Sequence, residues 1–157
     1  EVAELQKSYE EKLAEARGLD LMITDGPPGI GCPVIAAIGQ ATAILVIAEP
    51  TVSGRHDMER VGQLAAHFKL PAMVMVNKCD LNPEEAQKIE TLAAEMGMTM
   101  VGKVPFDPCF TEAMIKAETI LEYDEKSQAA VEVKKAWDRI LALPDFTAPA
   151  PNLINQL

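Results

Sequence analysis

The sequence predicts a doubly wound α/β domain: a mainly parallel sheet with helices on both faces. Three observations predict it. Short runs of Ile, Leu, Val and Met recur without strict polar alternation, which fits strands covered on both sides. Segments of helical period lie between these runs, so strand–helix–strand units follow one another, and such units cross over right-handed. Aromatic residues are only 4% of the chain while hydrophobic ones are 48%, a balance better suited to a sheet under helices than to a sandwich.

Taken in order, residues 1–17 carry many Glu and Lys, with Val2, Leu5, Tyr9 and Leu13 spaced as a helical stripe. Leu21–Thr24 is the first predicted strand, and Pro33–Ala41 a short helix with proline at its start. Ala43–Ala48 is the second strand. Met58, Val61, Leu64, Ala65 and Phe68 then recur at spacings of three and four, the period of a helix. Ala72–Val76 is the third strand. Asn82-Pro83-Glu84-Glu85 supplies a cap, a first-turn proline and early acids for a helix carrying Ala86, Ile89, Leu92, Ala93 and Met96, which Gly97 closes. Thr99–Val104 is the fourth strand.

Residues 127–143 form the last predicted helix, with Ala130, Val133, Trp137, Ile140 and Leu141 on one face. Lys134, Lys135 and Arg139 would suit a membrane-surface anchor, but Glu132 and Asp138 dilute that basic face, so docking on the sheet is the favoured reading. Beyond Pro144, prolines and polar residues suggest a loose tail. The expected organisation is one domain over 1–143 and a tail over 144–157.

Composition narrows the function. The 157 residues suffice for one domain, and a net charge of −10 argues against sequence-independent nucleic-acid binding, which needs basic side chains. No apolar run approaches the roughly 20 residues of a membrane span, and no signal peptide is visible. Cys32, Cys79 and Cys109 are odd in number and far apart, so no disulfide framework is expected and a cytoplasmic setting is the default.

In doubly wound sheets ligands sit beyond the carboxyl ends of the strands. That rule selects Asp25 with its loop, Glu49–Arg55, Asn77–Asp80 and Pro105–Pro108. The loop DGPPGIGCP, residues 25–33, is the most unusual of these. A buried run ending in Asp is the pattern of a Walker B strand, whose carboxylate reaches Mg²⁺ through hard oxygen contacts. Glycines let the backbone approach a phosphate closely, and Pro27 and Pro28 stiffen the loop so that a small displacement moves the helix after it.

Together, LMITDGPPGIGCPVIAAI, LVIAEPTVSGRHDMERV, VNKCDLN and VGKVPFDPCF resemble the MinD/ParA class of P-loop ATPases, most nearly the MinD-like subgroup with an inserted ferredoxin domain. The resemblance runs from about residue 19 to 142. It implies that Asp25 is the Mg²⁺-associated, catalytic aspartate and that Gly26–Gly31 is a switch loop, with Gly26, Pro28, Gly29 and Gly31 against the nucleotide. It implies that Asn77 hydrogen-bonds adenine and that the backbone of Pro105, Phe106 and Asp107 frames the base. Ser53–Arg60 would begin a nucleotide-sensitive surface helix, often at a dimer interface. The implied cofactors are ATP and Mg²⁺. The implied partners are a second copy of the chain and a redox or iron–sulfur protein.

The departures matter equally. No Gly-x-x-x-x-Gly-Lys-Ser/Thr occurs, nor the four-cysteine run of a ferredoxin. Both belong to the N-terminal half of the class, so the chain, which opens at Glu1, reads as the C-terminal half, with any iron–sulfur cluster confined to the absent insert. Alone it is expected to hydrolyse ATP poorly or not at all. Without the P-loop strand, the strands around it would flank a gap or expose an apolar edge, and self-association is the expected remedy.

Three alternatives stand beside this reading. Asn77-Lys78-Cys79-Asp80 also matches the guanine signature Asn-Lys-x-Asp, though its surroundings favour adenine. Cys32 and Cys109 could bind a metal or cluster across a dimer, but without Cys-x-x-Cys a structural role is favoured. Finally, the chain could be a non-catalytic assembly module that recruits a partner through Ser53–Arg60. Nothing supports a hydrolase triad, and His56 and His67 lack ligand spacing.

Overall fold

The computed structural model describes residues 21–26, 31–39 and 41–143. They divide into two compact units, one holding the described residues up to Ala41 and one beginning at Thr42. The expectations for 1–17, for Pro28 and Gly29, and for the tail lie outside the described residues.

In the first unit, residues 21–26 carry neither helix nor strand. The expected strand Leu21–Thr24 is therefore not formed, and its side chains are exposed, Ile23 to 77%. The physical reason is that extended backbone is stabilised by ladder hydrogen bonds to a neighbour, and these residues have no strand partner among the described residues. Helix α1 (Cys32–Ile38) starts at Gly31 with proline in its first turn and buries Val34 and Ile38, one turn apart.

The second unit runs β1 (Ile44–Ala48), α2 (Val52–His67), β2 (Ala72–Asn77), α3 (Pro83–Glu95), β3 (Thr99–Val104), α4 (Cys109–Ile115), α5 (Ile120–Tyr123) and α6 (Gln128–Leu141). The strands form a parallel sheet in the order β1-β2-β3, with Val46 opposite Val74 and Asn77 opposite Val104. This is the expected α/β architecture, with helices on both faces of the sheet.

Strand alternation divides the core. Val74 and Val76 of β2 pack with Met58 of α2 and Ala86, Ile89 and Ala93 of α3. Met73 joins Val101 and Ile140 on the opposite face, where Val104 packs with Ile120, Ala129 and Ala130. Val74, Val76, Ile89 and Val101 have no exposed surface, and each such burial stabilises by about 1.5–3 kcal/mol. α6 approaches closely because position 102 is glycine: a Cβ there would lie 2.9 Å from Ala136 Cβ. That contact needs small residues, so the buried face of α6 is Ala129, Ala130, Ala136 and Ile140. Trp137, expected on that face, sits at its margin and stays 37% exposed.

Local signals set the helix ends. Thr51 caps α2, Asn82 caps α3, Ser127 caps α6, and Thr119 with Glu122 forms a capping box on α5. α3 closes on Gly97 at φ +72°, with Met98 N–H donating to Ala93 O at 2.9 Å and Gly97 N–H to Ala94 O at 3.1 Å. α2 closes in the same way on a non-glycine residue, Lys69 at φ +56°.

Candidate functional site

Three loops leave the carboxyl ends of β1, β2 and β3, and short polar contacts tie them together. After β1, Thr51 Oγ1 accepts from Gly54 N–H at 2.9 Å. A Cβ at Gly54 would lie 2.4 Å from Glu49 O, so this strand-to-helix turn needs glycine.

After β2, the chain turns through Lys78, a non-glycine residue at φ +53°. This left-handed conformation costs on the order of 1–2 kcal/mol. It lets Cys79 N–H donate to Val104 O at 3.0 Å, carrying the turn over to β3. Lys78 Nζ lies 2.6 Å from Glu49 Oε1, which ties the turn to the end of β1. Asn77 Oδ1 accepts from Lys78 N–H at 3.0 Å, so the amide NH₂ of Asn77 is left to donate elsewhere.

After β3, Phe106 N–H donates to Asp80 Oδ1 at 2.6 Å. Asp107 Oδ1 accepts from Cys109 N–H at 2.9 Å, and that bond holds the Asp107 carboxyl below the usual carboxylate range. Phe106 itself is 52% exposed, leaving an open apolar ring beside this polar frame. Asn77, Pro105, Phe106 and Asp107 thus meet at one end of one sheet, as the sequence predicts.

The second group of expected residues belongs to the first unit. Asp25 is exposed, and nothing lies within 4 Å of a Cβ placed at Gly26. Gly31 is the N-cap of α1. Pro28 and Gly29 are outside the described residues.

Among the described residues, no group of three or more His, Cys, Asp or Glu could hold a metal ion. Phosphate and water oxygens commonly fill most positions around Mg²⁺, so a single carboxylate such as Asp25 suits that ion. The fit to a nucleotide is divided: the loops after β2 and β3 offer a donor, an apolar ring and a rigid frame for a base, while the sequence contains no Gly-rich cradle for phosphates. Burial pushes the Cys79 thiol up, and the hydrogen bond with Asp107 pushes Cys109 up.

Sequence reasoning missed the residues that lock the site. Asp80 is neither a helix cap nor a free carboxylate; Asn82 caps α3, accepting from Glu85 N–H at 3.1 Å. Glu85, read as a first-turn acid, is buried and binds Arg55 Nε at 2.6 Å, tying the start of α2 to α3. Partners 26 and 30 residues apart leave no local signal; only the strand-end rule points to both loops.

The family described as ParA, NUBPL iron-transfer P-loop NTPase, matches residues 11–141. The chain belongs to this family. A MinD cell division protein of Aquifex aeolicus shares the fold with a TM-score of 0.76 at 21% identity, over 96% of this chain and 64% of that one. The septum site-determining protein MinD of Pyrococcus horikoshii, solved with Mg-ADP, gives a TM-score of 0.66 at 19% identity over 79% of this chain and 51% of that one. In sequence, an uncharacterized Methanocaldococcus jannaschii protein is 27% identical over 121 residues, 77% of this chain and 40% of its own length. A protein of Nephroselmis olivacea named for MinD is 23% identical over 142 residues, 87% of this chain and 51% of that relative. The chain thus spans about half or less of the length of these curated relatives. No helix among the described residues is long and apolar enough to cross a membrane.

Proposed function

We propose that the loops after β2 and β3 are the adenine-reading part of an ATP site, and that residues 1–143 are the C-terminal portion of a MinD-like ATPase. The observation that carries this reading is the lock between those loops, Asp80 Oδ1 to Phe106 N at 2.6 Å, with the Asn77 amide left to donate beside it. Asn77 donates to the base, and the backbone of Pro105, Phe106 and Asp107 frames it. The ring of Phe106 supplies apolar surface, and the Glu49–Lys78 pair keeps the β2 turn from drifting.

The same lock favours adenine over guanine. A guanine reader turns both carboxylate oxygens of its aspartate toward two adjacent N–H groups of the base, and here Asp80 Oδ1 is turned toward the Phe106 N–H. The Mg-ADP in the related P. horikoshii structure supports that choice.

Asp25 is assigned to Mg²⁺ and Gly26, Pro28, Gly29 and Gly31 to the phosphate-sensing switch. When bound, Mg²⁺ would neutralise charge on the transferred phosphoryl group. The P-loop would come from sequence outside these 157 residues, and the complete site would couple ATP hydrolysis to dimerisation in the cytoplasm. The family's iron-transfer description supports a link to iron–sulfur or redox partners.

The test is phosphate release from Mg-ATP by this chain and by the product of the same gene read with its upstream coding sequence. No turnover is expected from the chain alone, and turnover sensitive to Asp25→Ala from the longer product. Turnover by the chain alone, or a longer product with no P-loop, would overturn the reading.

A further inference from the structure

Among the described residues, three that are not glycine take a left-handed backbone: Lys69 (φ +56°), Lys78 (φ +53°) and Ala117 (φ +56°). Two of them are explained by the helices they end. Lys69 follows α2, where Leu70 N–H donates to Ala65 O at 2.9 Å, and Ala117 follows α4, where Glu118 N–H donates to Ala113 O at 3.0 Å. Those wrap-around bonds are the ordinary setting of a left-handed residue. Lys78 ends no helix. It follows directly on β2, at a position where glycine would be free of strain. A strained residue outside a helix cap points to a function at that place.

The hydrogen bonds on either side of Lys78 show what the strain holds. Lys78 N–H donates to Asn77 Oδ1 at 3.0 Å, and Cys79 N–H donates to Val104 O at 3.0 Å. The backbone rotations of Lys78 lie between those two N–H groups, so its left-handed form sets the direction of the Asn77 carboxamide relative to β3. The side chain of the same residue reaches the end of β1: Nζ lies 2.6 Å from Glu49 Oε1, and the two side chains are 39% and 51% exposed. An ion pair that exposed adds little to folding stability. Glycine at 78 would relieve the backbone but lose this tether. Lysine thus strains the turn for little gain in stability, while joining Asn77 to the loops after both β1 and β3.

We infer that Lys78 is a positioning residue: its left-handed backbone and its bond to Glu49 together aim the Asn77 amide, so it acts through Asn77 and not on the base itself. The inference rests on the adenine-reading assignment of Asn77, and its test separates the two.

The test compares Lys78→Gly, Lys78→Arg, Glu49→Gln and the double variant Lys78→Gly/Glu49→Gln with the wild-type ¹⁵N-labelled chain. Relief of strain is offset by a more flexible unfolded chain, so Lys78→Gly should keep its thermal midpoint within about 3 °C. The Asn77 side-chain amide should change nevertheless. Its order parameter should fall by about a quarter in Lys78→Gly and in Glu49→Gln, with no further fall in the double variant, and Lys78→Arg should retain the wild-type value. ADP titrated into the same samples should bind Lys78→Gly and Glu49→Gln about threefold to tenfold more weakly than the wild type. An unchanged Asn77 amide in Lys78→Gly overturns the inference, as does an additive loss in the double variant or a loss of binding that only follows a lower thermal midpoint. Undiminished ADP affinity in Lys78→Gly also overturns it, and leaves the adenine assignment standing. Absence of ADP shifts at Asn77 in the wild-type chain overturns that assignment instead, and the Asn77 amide of the nucleotide-free variants then decides the role of Lys78.

Discussion

The Asp25 loop and the Asn77–Phe106 loops are equally conspicuous as motifs, yet they differ as structures. The second pair is locked: Asp80 holds Phe106, Lys78 holds Glu49, and β2 and β3 are hydrogen-bonded beneath them. Around the first, Leu21, Met22 and Ile23 are exposed, and no strand forms. The difference teaches that a strand motif encodes one half of a ladder. β2 has a neighbour on each side and is rigid enough to aim its terminal residues; 21–24 have none among the described residues, and their apolar side chains gain nothing from extended backbone.

Mutations can break this contrast, beginning with the largest effect. Ile89→Ala, in the core that supports the locked loops, should destabilise by about 2–5 kcal/mol in urea unfolding, whereas Ile23→Ala should change stability by less than about 0.5 kcal/mol. Comparable losses from both would mean that the first region is packed as firmly as the second.

Gly54→Ala should cost about 1–3 kcal/mol, because the added methyl meets Glu49 O. Its thermal midpoint should fall, together with protection of the Gly54 amide from hydrogen exchange. Asn82→Ala should cost about 1 kcal/mol through loss of the α3 cap, and Asn82→Asp should recover most of it.

The smallest effect is a pH dependence. The hydrogen bond from Arg55 holds the Glu85 carboxyl below its ordinary value. A carboxyl whose folded pKa is depressed contributes stability above its unfolded pKa of about 4.3, and that contribution disappears as pH falls through the folded value. Urea melts between pH 3 and 6 should show this loss, and Glu85→Gln should flatten that part of the profile.

These contrasts also define what the sequence could and could not reveal. β3 matches its predicted bounds, β1 and β2 match to within one residue, and the α3 cap was legible in Asn82-Pro83 because such signals are local. The position of Asn77 and Pro105–Asp107 at the ends of β2 and β3 was legible because the strand runs themselves were. The lock itself was not, since Asp80 and Phe106 meet only when the parallel register is set. Lys69 and Lys78, which take left-handed turns without glycine, carry no signal in residue type. Trp137 was misassigned because helical period alone does not say which residues the sheet can approach; Gly102 and Ala136 decide that.

The central claim is that the locked loops read adenine. The direct measurement is a titration of ¹⁵N-labelled chain with ADP and, separately, GDP, following the amides of Lys78, Phe106 and Asp107 and the side-chain amide of Asn77. Saturable shifts at these positions with ADP, and weaker ones with GDP, are the predicted result. Equal or larger shifts with GDP, or ADP shifts confined to other residues, would contradict it.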